Sequence, residues 1–351
     1  MKKVYLSDFK SSAPKYVWPQ QDLNQYLSKV ISNHNENSYS QPEWQKLIER
    51  FGAGKNKISS RRSDFVNIED ENYFEKSSLK KSMFFHETAS QHVFKLFDAV
   101  TDCPDHVLHV TCTGYVSPSA VQNLVQKRKW NSQVTHLYHM GCYASMPAVR
   151  TAQAFLQTDQ SVDIVHNEIC SLHLNPLDSS AEQLVIQSLF ADGHIKYRAS
   201  SVLQNHKPQF EVIAVNEFIV PETSHLMTWA VGDHTMDMTL SREVPQAILL
   251  NLNHVMATWQ KKYPDLKISD TLFAIHPGGP KIIELVAEKL NLQPEQYQHS
   301  KKVLFECGNM SSATLPHIWS EILDTETKNK YVLSFAFGPG LTFFSSLMRT
   351  I

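Results

Sequence analysis

The stretch Thr135-His136-Leu137-Tyr138-His139-Met140-Gly141-Cys142-Tyr143-Ala144-Ser145 decides how the rest of the chain is read. Its first residues read as a strand, and beyond it Val149, Ala152, Phe155 and Leu156 recur at helical spacing. Strand, glycine turn and helix follow one another, with Cys142 at the turn. A cysteine there lies near the unpaired backbone N–H groups and the positive end of a helix, and both favour thiolate over thiol. Gly141 allows a tight turn and keeps the approach to the sulfur open. Cys142 is therefore expected to be a nucleophile, alkylated by iodoacetamide faster than the other four of the five cysteines.

Two later segments supply partners for it. Ala274-Ile275-His276-Pro277-Gly278-Gly279-Pro280 and Glu306-Cys307-Gly308-Asn309-Met310-Ser311-Ser312-Ala313 place His276 and Asn309 beside glycine-containing turns. Cysteine, histidine and asparagine together equip a site for acyl transfer through a covalent thioester. His106 and His109, like His136 and His139, stand three apart in strand-like segments, where odd spacing sends side chains to opposite faces. No metal site is expected from them. The chain also lacks zinc-type cysteine pairs, a phosphate-binding glycine loop and a dinucleotide fingerprint.

The 351 residues can bury a substantial core, and a hydrophobic content of 42% is ordinary for a globular protein. A net charge of −2 gives no general attraction to nucleic acid or anionic membrane. An odd number of unpaired cysteines, no signal-peptide pattern and no membrane-spanning run point to a soluble cytoplasmic protein. Val4-Tyr5-Leu6 reads as a short strand, and residues 20 to 50 as helices broken by the polar run 32–38. Segment 83–100 is helical in period, while 107–114 and 162–170 read as buried strands. Strands alternating with helices imply an α/β layered fold. The polar stretch 204–209 divides the chain, and a second pass of strands and helices begins at Val212. Under this division the nucleophile lies in the first half, and His276 and Asn309 in the second.

Gly-Cys before a helix, His-Pro-Gly-Gly-Pro, Gly-Asn-Met-Ser-Ser-Ala and Phe337-Gly338-Pro339-Gly340-Leu341-Thr342 occur in that order. In this the chain, from about Phe51 onward, resembles the chalcone-synthase-like type III polyketide synthases among the thiolase-fold ketosynthases, and in particular bacterial pyrone-forming ketosynthases. The resemblance implies two similar βα halves, residues 1–208 and 209–351, stacked as αβαβα layers. It implies a decarboxylative acyltransferase in which Cys142 carries the acyl group. His276 pairs with the thiolate and, with Asn309, donates hydrogen bonds to a malonyl thioester. No cofactor is expected; the substrates are acyl and malonyl thioesters of coenzyme A or of acyl carrier protein. A homodimer is implied too, with the loop Tyr115-Val116-Ser117-Pro118 reaching the partner's pocket.

Lys57 and Arg50 match family positions that contact coenzyme A phosphates, and Lys55 stands near a third position, occupied here by Ala53. Phe190 aligns with one gate aromatic, and Met238 replaces the other. A pliable thioether there suits an alkyl chain. Glu168, Cys112 and Ser311 fall where relatives carry the network that steers aldol ring closure; cysteine in place of threonine favours lactonisation to a pyrone. Cys170, His173 and Gly278 are expected to line the same cavity. The alternatives are a carrier-protein-dependent β-ketoacyl synthase that joins two acyl chains, and a catalytically silent thiolase-fold subunit that stabilises an active partner.

Overall fold

The computed structural model describes residues 2–34, 39–70 and 76–351. Part of the polar run expected to break the first helices, residues 35–38, lies outside them. In chain order the strands are β1 (Val4–Ser12), β2 (Tyr16–Pro19), β3 (Ser60–Ser63), β4 (His106–Thr111), β5 (Gln133–Tyr138), β6 (Ser161–Ile169) and β7 (Asp192–Ser200). They continue with β8 (Phe210–Ile219), β9 (Met227–Val231), β10 (Met236–Leu240), β11 (Thr271–Ile275), β12 (Tyr331–Gly338) and β13 (Thr342–Thr350). Nine of them share the order β11-β12-β13-β8-β1-β7-β6-β4-β5, and β9 and β10 form a separate hairpin.

Alternation along the strands builds the layers. In β11, Leu272 and Ala274 face one apolar core while Phe273 and Ile275 face another; in β12, Val332 and Ala336 oppose Leu333, Phe335 and Phe337 in the same way. Such continuous apolar runs fit strands covered on both faces. The middle core also takes Leu108 and Val110 of β4 and the helices Ser145–Phe155 and Thr314–Thr325, through Val149, Ala152, Ile318 and Trp319. The helices Ser78–Leu96 and Ala120–Arg128 cover the outer face of the first half. Val244–Lys262 and Ile282–Lys289 cover that of the second. This is the αβαβα stack of the thiolase fold.

Duplication, invisible as sequence repetition, is plain in the pairing. β4 runs parallel to β6, which is antiparallel to β7, itself antiparallel to β1. β11, β12, β13 and β8 repeat that order and those senses. Both central helices also carry proline as their third residue, Pro147 and Pro316, where the missing N–H breaks no intrahelical bond. One difference from two separate sheets is that β1 pairs briefly with β8, from Val4↔Val212 to Leu6↔Phe210. The pairing covers two edges that would otherwise present unpaired backbone groups.

Candidate active site

β5 ends at Tyr138, and the chain then turns sharply, with His139 at φ 61° and Gly141 at φ 81°. A Cβ on Gly141 would stand 2.6 Å from Pro339 Cδ, so both conformation and space require glycine. The Gly141 N–H donates to Cys112 Sγ at 2.9 Å, and the Trp229 indole donates to the Cys112 carbonyl at 2.7 Å. Cys112 thus anchors the nucleophile turn.

Cys142 lies in that turn, before the first helical residue Ser145, and its sulfur opens into a cavity of about 290 Å³. Burial pushes its thiol up to about 12, against the neighbouring Ser311 and Asn309 side chains, which lower it, while the Glu168 charge raises it. This environment works against the thiolate expected from sequence. The sulfur is withdrawn from solvent ahead of the helix, and burial outweighs the helix end.

Asn309 reaches the site from the opposite half. Gly308 turns the chain at φ 78° after the helix Pro294–Cys307. Asn309 then pairs with the end of another helix: its N–H donates to Leu189 O at 3.0 Å, and Ala191 N–H donates to Asn309 O at 2.8 Å. Its side chain is fixed as well. Oδ1 accepts from Ser311 N–H (2.9 Å) and the Thr314 hydroxyl (3.2 Å), and Nδ2 donates to Pro277 O at 3.1 Å. An amide nitrogen has two hydrogens, so one remains for a ligand.

His276 follows β11, held by its N–H on Phe335 O at 2.8 Å. The residue is fully buried, yet neither ring nitrogen has a hydrogen-bond partner. Burial lowers its pKa to about 3, which makes it a neutral imidazole. An orphaned buried imidazole costs stability and marks a place kept for another molecule. The structure joins Asn309 to the His276 loop through Pro277. His276 makes no hydrogen bond to Cys142.

The cavity is also lined by Cys112, Cys170, His173, Phe190, Met238 and Ser311, all expected there from sequence. Glu168 and Gly278 are not on its wall, and His276 and Asn309 lie buried behind it. Glu168 is fully buried beneath the floor, where its carboxylate accepts from Cys112 N–H (3.0 Å), the Thr113 hydroxyl (2.9 Å) and the Ser312 hydroxyl. The expected network is thereby shifted by one residue at two places, to Thr113 and Ser312 rather than Cys112 and Ser311 side chains. Burial raises the Glu168 carboxyl to about 7, against the hydrogen bonds that hold it down. Gly278 sits beside the His276 ring instead.

The basic residues are scattered. Lys57 pairs with Glu284 at 2.5 Å at a shallow surface cavity that Lys301 and Lys302 share. Arg50 lies over the Phe51 ring, and Lys55 is exposed. Sequence reasoning missed the β9–β10 hairpin as a wall: Trp229, paired with Met238 across it, lines the cavity with Met227 and Met236. Period-two alternation in 227–231 and 236–240 was the available signal.

It also missed a buried cluster in the first half. Asp64, His92 and His194 bring three potential metal ligands together. His92 Nε2 and His194 Nε2 lie 3.2 and 2.8 Å from the two carboxylate oxygens, and the rings stack at 3.7 Å, 8° from parallel. Parallel stacked rings do not converge on one ion, and the polar atoms already satisfy one another.

The whole chain superposes on a solved structure, the C-terminal type III polyketide synthase domain of Steely1, a type I/III hybrid from Dictyostelium. The match has a TM-score of 0.87, covers 99% of each chain, and carries 22% identity. The fold is that of the type III polyketide synthases. Residues 211–351 match the family model of chalcone and stilbene synthases, C-terminal domain. Two curated Dictyostelium discoideum proteins are similar in sequence. These are probable polyketide synthase 1, 27% identical over 256 residues, and polyketide synthase 37, 30% identical over 265. Each alignment takes in 70% of this chain but only 8% and 9% of those proteins, so the chain matches under a tenth of their length.

Proposed function

We propose that the protein is a decarboxylative condensing enzyme of the type III polyketide synthase kind, an acyltransferase that extends or joins fatty acyl thioesters on Cys142. The observation that carries this reading is the Cys142 thiol at an apolar-lined cavity beside a fixed Asn309 amide with one N–H to spare. In the first step Cys142 Sγ attacks the acyl thioester carbonyl, neutral His276 accepts the thiol proton, and the carrier thiol leaves with it. In the second, the bond to the malonyl carboxylate breaks and carbon dioxide departs. The electron pair passes to an enolate whose oxygen takes hydrogen bonds from Asn309 and His276. Fixed donors aimed at developing charge supply the largest part of such catalysis. The enolate carbon then attacks the Cys142 thioester, a carbon–carbon bond forms, and the sulfur is released.

Methionines at 227, 236 and 238 favour a pliable alkyl starter. With Cys112 engaged on the Gly141 turn and no hydroxyl at its place, lactonisation to an alkyl pyrone is the favoured release. Glu284 neutralises Lys57, which weakens a coenzyme A phosphate contact there and leaves room for a carrier-protein donor. The assembly proposed is a homodimer, working in the cytoplasm, with residues 1–208 and 209–351 as its two halves. Exposed Leu79 and Met83, one turn apart, and exposed Val231 and Tyr115 supply the apolar surface for it.

The test is intact-mass analysis after incubation with acyl thioesters, followed by malonyl thioester and product analysis. An acyl adduct on Cys142 that is consumed when malonyl thioester is added supports the reading. A protein that takes no acyl group from any donor, and instead co-purifies with an active relative, is the silent subunit.

A further inference from the structure

We propose that Lys81 forms an anion-binding end to the substrate tunnel, and that the acyl chains loaded on Cys142 include chains ending in a carboxylate. The proposal takes the thioester end from the condensing-enzyme reading above; the far end is argued from a second cavity.

That cavity, of about 230 Å³, adjoins the first. Thr113, His173 and Met236 line both, and Ser78, Lys81 and Tyr115 extend the second. His173 is a fixed part of the partition: one ring nitrogen bonds to Thr113 O at 2.8 Å, and the other accepts the Met236 N–H at 3.0 Å. Met236 is the pliable part, since a thioether chain changes rotamer at little cost. A chain passing Met236 enters a space whose wall carries a buried cation.

Lys81 is only 3% exposed, and among the described residues its ammonium makes one hydrogen bond, to His234 O at 3.1 Å. Two of its three N–H groups are left over. No carboxylate among the described residues is within ion-pair distance. Asp237 acts on it only from further away and accepts instead from the Thr235 hydroxyl at 2.6 Å. Lys76 also lies nearby, though it is paired with Asp70 at 3.7 Å. Burial lowers the lysine to about 8, against the pull of Asp237, so most of it stays protonated at neutral pH. A buried cation short of partners is unfavourable, and a carboxylate brought to it offsets that with charge-assisted hydrogen bonds.

Pinning the β9–β10 turn does not account for the charge. The Ser78 hydroxyl already donates to Asp233 O in that turn at 2.6 Å, and a neutral donor would serve the His234 carbonyl as well. The unused hydrogens of Lys81 are what the cavity adds.

The experiment compares ten-carbon starters, decanoyl-CoA and the mono-CoA thioester of sebacic acid, with malonyl-CoA as extender. The full chain is used in wild-type, Lys81→Met and Lys81→Arg forms. The expected result is that Lys81→Met lowers the kcat/KM ratio of carboxylated to plain starter about tenfold or more, the scale of a lost charge-assisted hydrogen bond. Lys81→Arg should keep most of the ratio. If decanoyl loads on Cys142 but the ratio is the same in wild type and Lys81→Met, the anion site is overturned while the condensing reading stands. If neither starter loads, the condensing reading fails. Calorimetric titration of wild type and Lys81→Met with free sebacate then decides the site by itself: binding lost in the variant supports it, and equal or absent binding in both overturns it.

Discussion

Two of the buried polar clusters among the described residues are satisfied in opposite ways. Asp64, His92 and His194 use their hydrogen-bonding groups on one another and on Ser12, Asn167 and Lys15 N–H. Cys142, His276 and Asn309 do not close on themselves: the imidazole has no partner, and the amide keeps a hydrogen unused. Both sets combine residue types capable of metal binding or catalysis. The first needs nothing more and therefore holds the half together. The second is stable only because the surrounding fold holds it, and what it lacks describes what it binds.

The sharpest break in the comparison is Cys142→Ala, which should abolish the acyl adduct seen by intact mass. An adduct undiminished in that variant removes the nucleophile. Next in size is Asp64→Ala, which strands two imidazoles in the interior. It should cost about 3–5 kcal/mol of unfolding free energy by chemical denaturation, as breaking a buried pair does. His276→Ala breaks no side-chain hydrogen bond and should cost less. Equal losses would mean the two clusters are not different in kind.

Asn309→Ala should lower condensation by about 10²–10³-fold, the usual cost of one oxyanion donor, while Cys142 still accepts acyl groups. His276→Ala should impair both steps. Loading blocked as severely by Asn309→Ala as by His276→Ala would show the division of roles to be wrong.

A smaller effect separates the resting thiol from the thiolate expected from sequence. With Cys142 held near 12 by burial, its thiolate fraction should rise about tenfold per pH unit across pH 7 to 9. Exposed Cys103 should therefore alkylate first in the free protein. A Cys142 rate that is fast at pH 7 and flat above it would restore the thiolate.

What was legible in the sequence was whatever sits within one turn or one strand. Gly141-Cys142, His276-Pro277 and Gly308-Asn309 each announce a turn and a reactive group, and their order along the chain gave the fold. The short apolar segments at 107–114 and 162–170 marked β4 and β6 as buried strands. The Asp64 cluster was not legible, because its members come from a loop, a helix and a strand that only packing brings together. Lys81 was hidden for another reason: a lysine near a helix start reads as solvated surface until the hairpin is folded over it. The Glu168 network was misread by one residue. The chain bends just after β4, where Cys112 gives only its backbone N–H to the carboxylate and Thr113 gives its hydroxyl.

The finest test concerns the apolar wall that separates the reactive cluster from solvent. Met238 lies on β10 opposite Trp229, with its carbonyl held by Gln183 Nε2 at 2.8 Å, so its backbone is fixed and only its thioether adapts. A phenylalanine ring there would fill more space rigidly and take it from an acyl chain. Each methylene buried is worth about 0.8 kcal/mol, roughly fourfold in binding, so losing room for one or two carbons shifts chain preference by about fourfold to about fifteenfold. Met238→Phe should depress kcat/KM for long starters and spare acetyl and butyryl, whereas Met238→Ala should admit longer or bulkier chains. The comparison runs over starters of two to fourteen carbons for both variants. A uniform loss at every length would mean that Met238 only packs the hairpin, and the alkyl-chain reading of the cavity would have to be given up.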